Sequence, residues 1–181
     1  MEDVIRIKGG HKLSGEVRVS SCKNSVVAIL PSVVLASEIV KLYDVPDIKD
    51  VQILIKLLEL LNIKVRADDD ELTIDPTNIT NIDLLDDDVM KLRASYYFMG
   101  ALLGRFGHCR VSLPGGCPLG DRPIDQHLKA FGKLGAACKV DRGMVDITTQ
   151  DGLKGNQIFF DCVTVGATMN AILAAVKADG L

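Results

Sequence analysis

Residues 125–148, DQHLKAFGKLGAACKVDRGMVDIT, run from an amphipathic helix into a strand, a tight turn and a second alternating strand. The same order stands upstream in residues 50–75, DVQILIKLLELLNIKVRADDDELTID. Asp50 and Asp125, and likewise Val65 and Val140, are 75 positions apart, whereas Val45-Pro46 and Leu113-Pro114 are offset by 68. On that reading the second copy holds seven extra residues between Pro114 and Asp125. An internal repeat organises the chain.

Each unit reads strand, helix, strand, helix, strand, strand. In the first copy these are expected at about 16–20, 25–37, 39–45, 48–61, 63–67 and 71–75. In the second they fall at about 79–83, 87–105, 108–113, 123–135, 137–141 and 144–148. A third copy starts with a strand at 157–161 and a helix at about 165–178, and goes no further, which predicts a shortened or split version of something longer. The first helix of each copy is apolar nearly all round, as in Val26-Val27-Ala28-Ile29-Leu30, and so belongs in the interior. The second is amphipathic, with Val51, Leu54, Ile55 and Leu58 on one face. The fold class is α/β (α+β), with central apolar helices, amphipathic helices outside them and small mixed sheets around both.

Composition excludes several classes. The 181 residues are 48% hydrophobic and 25% charged with a net charge of −3, as in globular proteins, and lack the basic surplus of a nucleic-acid binder. No apolar run reaches the ~20 residues of a membrane span, and Met1–Gly10 has no signal-peptide core. Five cysteines (22, 109, 117, 138 and 162) form no CxxC pair, and no histidines stand at metal-ligand spacing. A cytoplasmic protein with reduced thiols and no metal is the expectation.

Chemistry concentrates at helix starts. Pro114-Gly115-Gly116-Cys117-Pro118-Leu119-Gly120-Asp121-Arg122-Pro123 is a glycine- and proline-rich loop ending at a helix amino terminus. Cys117 is either an incidental member of a solvated loop or a thiol activated by Arg122 and the helix beyond. Lys23-Asn24 opens the first apolar helix, Lys91 and Arg93 occupy the matching turn of copy two, and Thr164-Val165-Gly166 opens the helix of copy three. Singly, such cations solvate helix ends; together they favour a multiply anionic small ligand at a shared face. His127, Tyr96 and Tyr97 read as packing residues, as do Cys22, Cys138 and Cys162, and Asp68–Asp70 and Asp86–Asp88 as a solvated turn and a helix cap.

Leu13-Ser14-Gly15-Glu16-Val17, Lys23-Asn24, Leu92-Arg93-Ala94-Ser95, the run Ser112–His127 and Val165-Gly166-Ala167-Thr168 together resemble the UDP-N-acetylglucosamine 1-carboxyvinyltransferases. The resemblance implies an enolpyruvyl-transferase-like inside-out α/β barrel. The chain 1–181 would be its amino-terminal portion, with repeats at about 15–75, 79–148 and, in part, 157–181, and the second domain absent. It also implies transfer of the enolpyruvyl group of phosphoenolpyruvate to the 3′-hydroxyl of UDP-N-acetylglucosamine, the first committed step of peptidoglycan synthesis, without a cofactor. By that resemblance Cys117 forms a covalent adduct with phosphoenolpyruvate, donates a proton and is alkylated by fosfomycin. Lys23, Arg93 and Arg122 hold phosphoenolpyruvate, and Asn24 contacts the sugar. Pro123, Ile124, Asp125 and Gln126 cradle the nucleotide with Thr164, Val165 and Gly166. Cys162 stands where the family has a lysine. The family's chain is about twice as long, and its second half brings an aspartate and further arginines to the site. The implied partners are the two small substrates and either a carboxy-terminal half or a second copy, with no nucleic acid or membrane.

Overall fold

The two helix-to-strand junctions of the repeat end their helices in the same way. In the computed structural model, described over residues 4–68, 70–84, 96–113 and 123–181, helix α2 is Lys49–Leu60 and helix α4 is Asp125–Lys133. After α2 the Asn62 N–H donates to Glu59 O and the Ile63 N–H to Leu58 O; after α4 the Gly135 N–H donates to Gly132 O and the Ala136 N–H to Phe131 O. This paired closure needs a left-handed residue at the turn, and Asn62 (φ 63°) and Gly135 (φ 91°) supply it. Buried Leu58 and Ile63, and likewise Phe131 and Ala136, seal each junction with apolar contact. The chain thereby leaves each helix at a set angle and enters a hairpin.

Those hairpins, β2 (Lys64–Asp68) with β3 (Glu71–Asp75) and β5 (Ala137–Asp141) with β6 (Met144–Thr148), each gain a third strand. It is β1 (Val40–Tyr43) in one sheet and β4 (His108–Ser112) in the other, giving the antiparallel orders β1-β3-β2 and β4-β6-β5. Alternation puts Leu72 and Ile74, and Val145 and Ile147, on the core side of the two central strands. The ladders correct the repeat offset. Val40 faces Ile74, and Cys109 faces Ile147, so the copies are 73 residues apart in the hairpins and 69 apart in the preceding strand. The second copy thus has four extra residues between these points, not seven. Pairing like residue types (Asp50 with Asp125, Val65 with Val140) slipped the register by two.

Three helices fill the centre: α1 (Lys23–Ser32), α3 (Tyr97–Phe106) and α5 (Val165–Ala175). Helix α3 lies between the other two, α2 packs on α1, and α4 packs on α5. The α3–α5 contact is backbone-close. A Cβ on Gly100 would fall onto the Asn170 carbonyl oxygen, and one on Gly104 would lie 3.0 Å from the Leu173 carbonyl oxygen. The Asn170 side chain uses that closeness to accept the Gly100 N–H at 2.8 Å. At the far end Arg105 donates to Val34 O and Ala36 O, satisfying carbonyls where the α1 segment stops.

Four expectations differ from the structure. Residues 16–20 form no strand, and Val17 and Val19 are exposed, because no sheet edge among the described residues reaches them. Residues 157–161 are likewise unpaired, and copy two's first strand is reduced to a parallel bridge between Leu84 and Val111. Helix α5 is buried on one side only. Ala167, Asn170, Ala171 and Ala174 face inward, whereas Val165, Ile172 and Val176 face solvent. The helical part of the 87–105 expectation is described from Tyr97 on; residues 85–95 lie outside the described residues.

Candidate functional site at converging helix starts

The starts of α3, α4 and α5 meet around one imidazole. His127 is in the first turn of α4 and only 8% exposed. Its ring lies 5.8 Å from that of Tyr96, the residue preceding α3. Its Nε2 stands 3.2 Å from the place a Cβ on Gly166, the second residue of α5, would occupy. A larger residue at 166 would push α5 off α4. Burial lowers the His127 pKa below its ordinary 6.5, with Asp125 opposing the shift, so the ring is neutral here. Its Nδ1 is buried with no hydrogen-bond partner among the described residues.

Seven of the sequence candidates lie around this junction. Ile124 is the buried residue ahead of α4, Pro123 and Asp125 are exposed beside it, and Asp125 is the acid of the first turn. At α5 the Thr164 hydroxyl accepts the Ala167 N–H at 3.3 Å, while Val165 and Gly166 begin the helix. The first N–H groups of a helix have no acceptor within it, and the dipole adds partial positive charge. The α5 end opens onto a groove of about 580 Å³ lined by Phe160, Cys162, Thr164, Val165, Met169 and Ile172, a place for an anionic group with an apolar flank.

Lys23 is held differently. It opens α1, and its ammonium pairs with Asp50 Oδ2 of α2 at 2.6 Å, both side chains partly exposed. Asn24 beside it is exposed. Cys22 precedes α1, and hydrogen bonding from the backbone N–H groups of Ser25 and Asn24, then from the Ser25 hydroxyl, lowers its thiol pKa. Burial raises Cys109, and it raises Cys138 to about 11, which makes both poor nucleophiles. Cys117, Arg93, Arg122 and Lys91 lie outside the described residues. Among the described residues no cluster of histidine, cysteine and carboxylate side chains is placed to hold a metal ion.

Sequence reasoning missed Lys129 and Asp161. Asp161 Oδ1 accepts from Lys129 Nζ at 2.5 Å, and Oδ2 accepts from Gln126 Nε2 at 3.0 Å. The Asp161 N–H donates to Gln126 Oε1 at 3.0 Å. Gln126 and Lys129, three apart on α4, share a face, and that spacing was the only signal available.

Residues 7–181 match the family described as EPSP synthase (3-phosphoshikimate 1-carboxyvinyltransferase). The chain is 50% identical over 177 residues to a UDP-N-acetylglucosamine 1-carboxyvinyltransferase of Streptococcus pneumoniae serotype 2, covering 97% of this chain and 42% of that one. It is 52% identical over 181 residues to UDP-N-acetylglucosamine 1-carboxyvinyltransferase 2 of Staphylococcus aureus strain Mu50, covering 99% and 43%. Among solved structures, the enolpyruvyl transferase NikO from Streptomyces tendae superposes with a TM-score of 0.77 at 27% identity, over 95% of this chain and 41% of that one. EPSP synthase from Acinetobacter baumannii gives 0.64 at 18% identity over 92% and 39%, a likeness of fold alone. The chain thus spans about two-fifths of the length of the relatives it matches.

Proposed function

The chain belongs to the EPSP synthase (3-phosphoshikimate 1-carboxyvinyltransferase) family, and from that premise we propose that it forms the nucleotide-sugar side of an enolpyruvyl-transfer site. The observation that carries the substrate choice is the identity with UDP-N-acetylglucosamine 1-carboxyvinyltransferases over nearly the whole chain. In this reading the 3′-hydroxyl oxygen of UDP-N-acetylglucosamine bonds to the enol carbon of phosphoenolpyruvate. The hydroxyl proton passes to a base in the facing half of the site, the methylene carbon takes up a proton and gives one back as the double bond re-forms, and the carbon–oxygen bond to phosphate breaks as phosphate leaves.

Each residue has a task. Pro123, Ile124, Asp125 and Gln126 at α4, with Thr164, Val165 and Gly166 at α5, cradle uridine and diphosphate. Neutral His127 holds the two helix starts apart at one distance. Lys23, Arg93 and Arg122 take the phosphate and carboxylate of phosphoenolpyruvate, and Asn24 takes the sugar. Lys23 then exchanges part of its contact with Asp50 for substrate, a low-cost exchange because the pair is solvent-exposed. Cys117 supplies the proton that the methylene carbon of phosphoenolpyruvate takes up; where its sulfur adds to phosphoenolpyruvate instead, that carbon–sulfur bond breaks again and returns thiol and phosphoenolpyruvate before the hydroxyl adds. This is catalysis by positioning and charge stabilisation. Cys162 brings no cation to the diphosphate, so the helix ends carry that charge. The reaction belongs to peptidoglycan precursor synthesis in the cytoplasm, and no described helix is long and apolar enough to cross a membrane.

The remaining length of the relatives supplies the facing half of the site, so the 181-residue chain by itself binds UDP-N-acetylglucosamine and turns over little. Phosphate release from both substrates, with Cys117→Ala as control, tests this directly. The expected result is no release by the chain alone and Cys117-dependent release once a carboxy-terminal half is supplied. Failure of fosfomycin to label Cys117 in that reconstituted enzyme would sink the assignment.

A further inference from the structure

The stretch 157–163, which leads into the α5 start, pairs with no strand among the described residues. Three hydrogen bonds tie it to two side chains of α4, Gln126 and Lys129. Gln126 is 7% exposed and has both ends of its amide committed. Nε2 donates to Asp125 at 2.8 Å and to Asp161 at 3.0 Å, and Oε1 accepts the Asp161 N–H. Asp161 in turn accepts from Lys129, and these two donors, Lys129 first, hold its carboxyl below the usual range. A ligand therefore meets the α4 backbone at residue 126 rather than its side-chain amide.

We propose that Gln126, Asp161 and Lys129 form a latch that sets the spacing between the α4 and α5 starts, with Gln126 and Asp161 acting as positioning residues for the nucleotide. The inference rests on the nucleotide-sugar reading of those helix starts. The latch acts through backbone placement. Three hydrogen bonds, two of them to a carboxylate, fix residue 161, and residue 161 lies three positions before the Thr164 cap. The loop can open no further from α4 than these bonds allow, while the Gly166–His127 contact limits its approach.

In an Asp125→Asn background, which offers a carbonyl to Gln126 Nε2 and an amide to a carboxylate at 126, the donor and acceptor roles across the Gln126–Asp161 pair can be exchanged without changing its shape, which supplies the test. Gln126→Glu alone sets two carboxylates against each other. Adding Asp161→Asn restores an amide facing a carboxylate, and the N–H of residue 161 still has an acceptor. Two readouts are taken on the 181-residue chain by NMR: amide exchange at residues 161, 167 and 168, whose N–H groups are bonded across the latch or to the Thr164 cap, and the dissociation constant of UDP-N-acetylglucosamine. For Gln126→Glu, exchange at these three amides speeds up and binding weakens about tenfold. Amides of β3 and β6 keep their protection, which separates the latch from general unfolding. The double variant recovers both quantities to within about twofold, by the logic of a double-mutant cycle. Unchanged exchange in the single variant, or no recovery in the double, overturns the latch. If the wild-type chain binds no UDP-N-acetylglucosamine at millimolar concentration, the nucleotide-sugar reading falls. The exchange cycle still decides whether the latch holds the α5 start.

Discussion

At the scale of single residues, the buried imidazole and the thiols give separable signals. His127 is pushed below 6.5 by burial, so the unfolded chain takes up a proton there before the folded one does. Stability from this group is full above about pH 6.5 and drains as pH falls from there toward the lower folded value. Glu71 acts in another window. Lys41 first, then Thr73 and Tyr43, hold it at about 2, so its contribution is lost only as pH falls from 4.5 toward 2. The expected outcome is a urea midpoint that drops between about pH 7.5 and 5.5 and a flatter profile in His127→Gln. A wild-type midpoint that stays level across that interval would contradict the burial of a neutral ring. The thiols are ranked by the same physics. Cys22 is lowered by amide donors, while Cys138 sits at about 11 and Cys109 is buried. Iodoacetamide on the native chain should modify Cys22 well before Cys138 and leave Cys109 intact until unfolding. Equal rates at all three, read by peptide mass spectrometry, would show that the fold does not protect them.

At the scale of elements, two kinds of glycine are separable by substitution. Gly135 is needed for its left-handed φ, as Asn62 is in the matching position. Gly135→Ala should cost about 1 kcal/mol, and Asn62→Gly should change stability by less than that, because asparagine tolerates this region. Gly100 is needed for space. A methyl there meets the α5 backbone, which cannot retract without breaking the Asn170 hydrogen bond, so Gly100→Ala should cost about 3 kcal/mol or prevent folding. Denaturant titration distinguishes them, and a Gly100→Ala loss no larger than that of Gly135→Ala would mean that α3 and α5 are not in contact. Elements were legible to the extent that their pattern is local. Alternation in Glu71–Asp75 and Met144–Thr148 marks strands, and the polar face of Lys49–Leu60 marks an outer helix, in any context. Register was not legible, because it is set by which carbonyl faces which amide. Matching aspartates and valines by type therefore misjudged it. The α3–α5 approach was hidden for a related reason, since a glycine reads alike whether a turn or a neighbouring backbone demands it. The candidate site was half legible. Thr164–Gly166 and Pro123–Gln126 stand out as helix starts, whereas Asp161 gains its role only when the fold brings it to Gln126.

At the scale of the whole molecule, one part of the exposed apolar surface is organised along a single helix. Val165, Met169, Ile172 and Val176 recur at helical spacing along the outward side of α5, with exposures of 70%, 37%, 52% and 63%. Phe159 and Val163, both exposed, extend this stripe through the segment before the helix. A continuous apolar patch of this kind normally has a partner, whereas single exposed apolar residues need none. The expectation of a helix buried all round was wrong about this copy for the same reason. Periodicity reports that a face is apolar, not that something covers it. Whatever covers it in a longer or assembled protein, the chain alone presents it to water, and two such stripes are complementary to each other. Sedimentation of the 181-residue chain should therefore show reversible self-association at tens of micromolar, strengthened by sulfate, which favours burial of apolar surface. Ile172→Lys with Val176→Lys should shift the population to monomer. The unfolding midpoint should move little, since exposed substitutions change stability by about 0.5 kcal/mol or less. A wild-type chain that stays monomeric at 100 µM would instead mean that the rim of Thr164, Thr168 and the neighbouring polar residues keeps the stripe hydrated. The face would then be an apolar wall of the ligand groove and not a surface that seeks another protein.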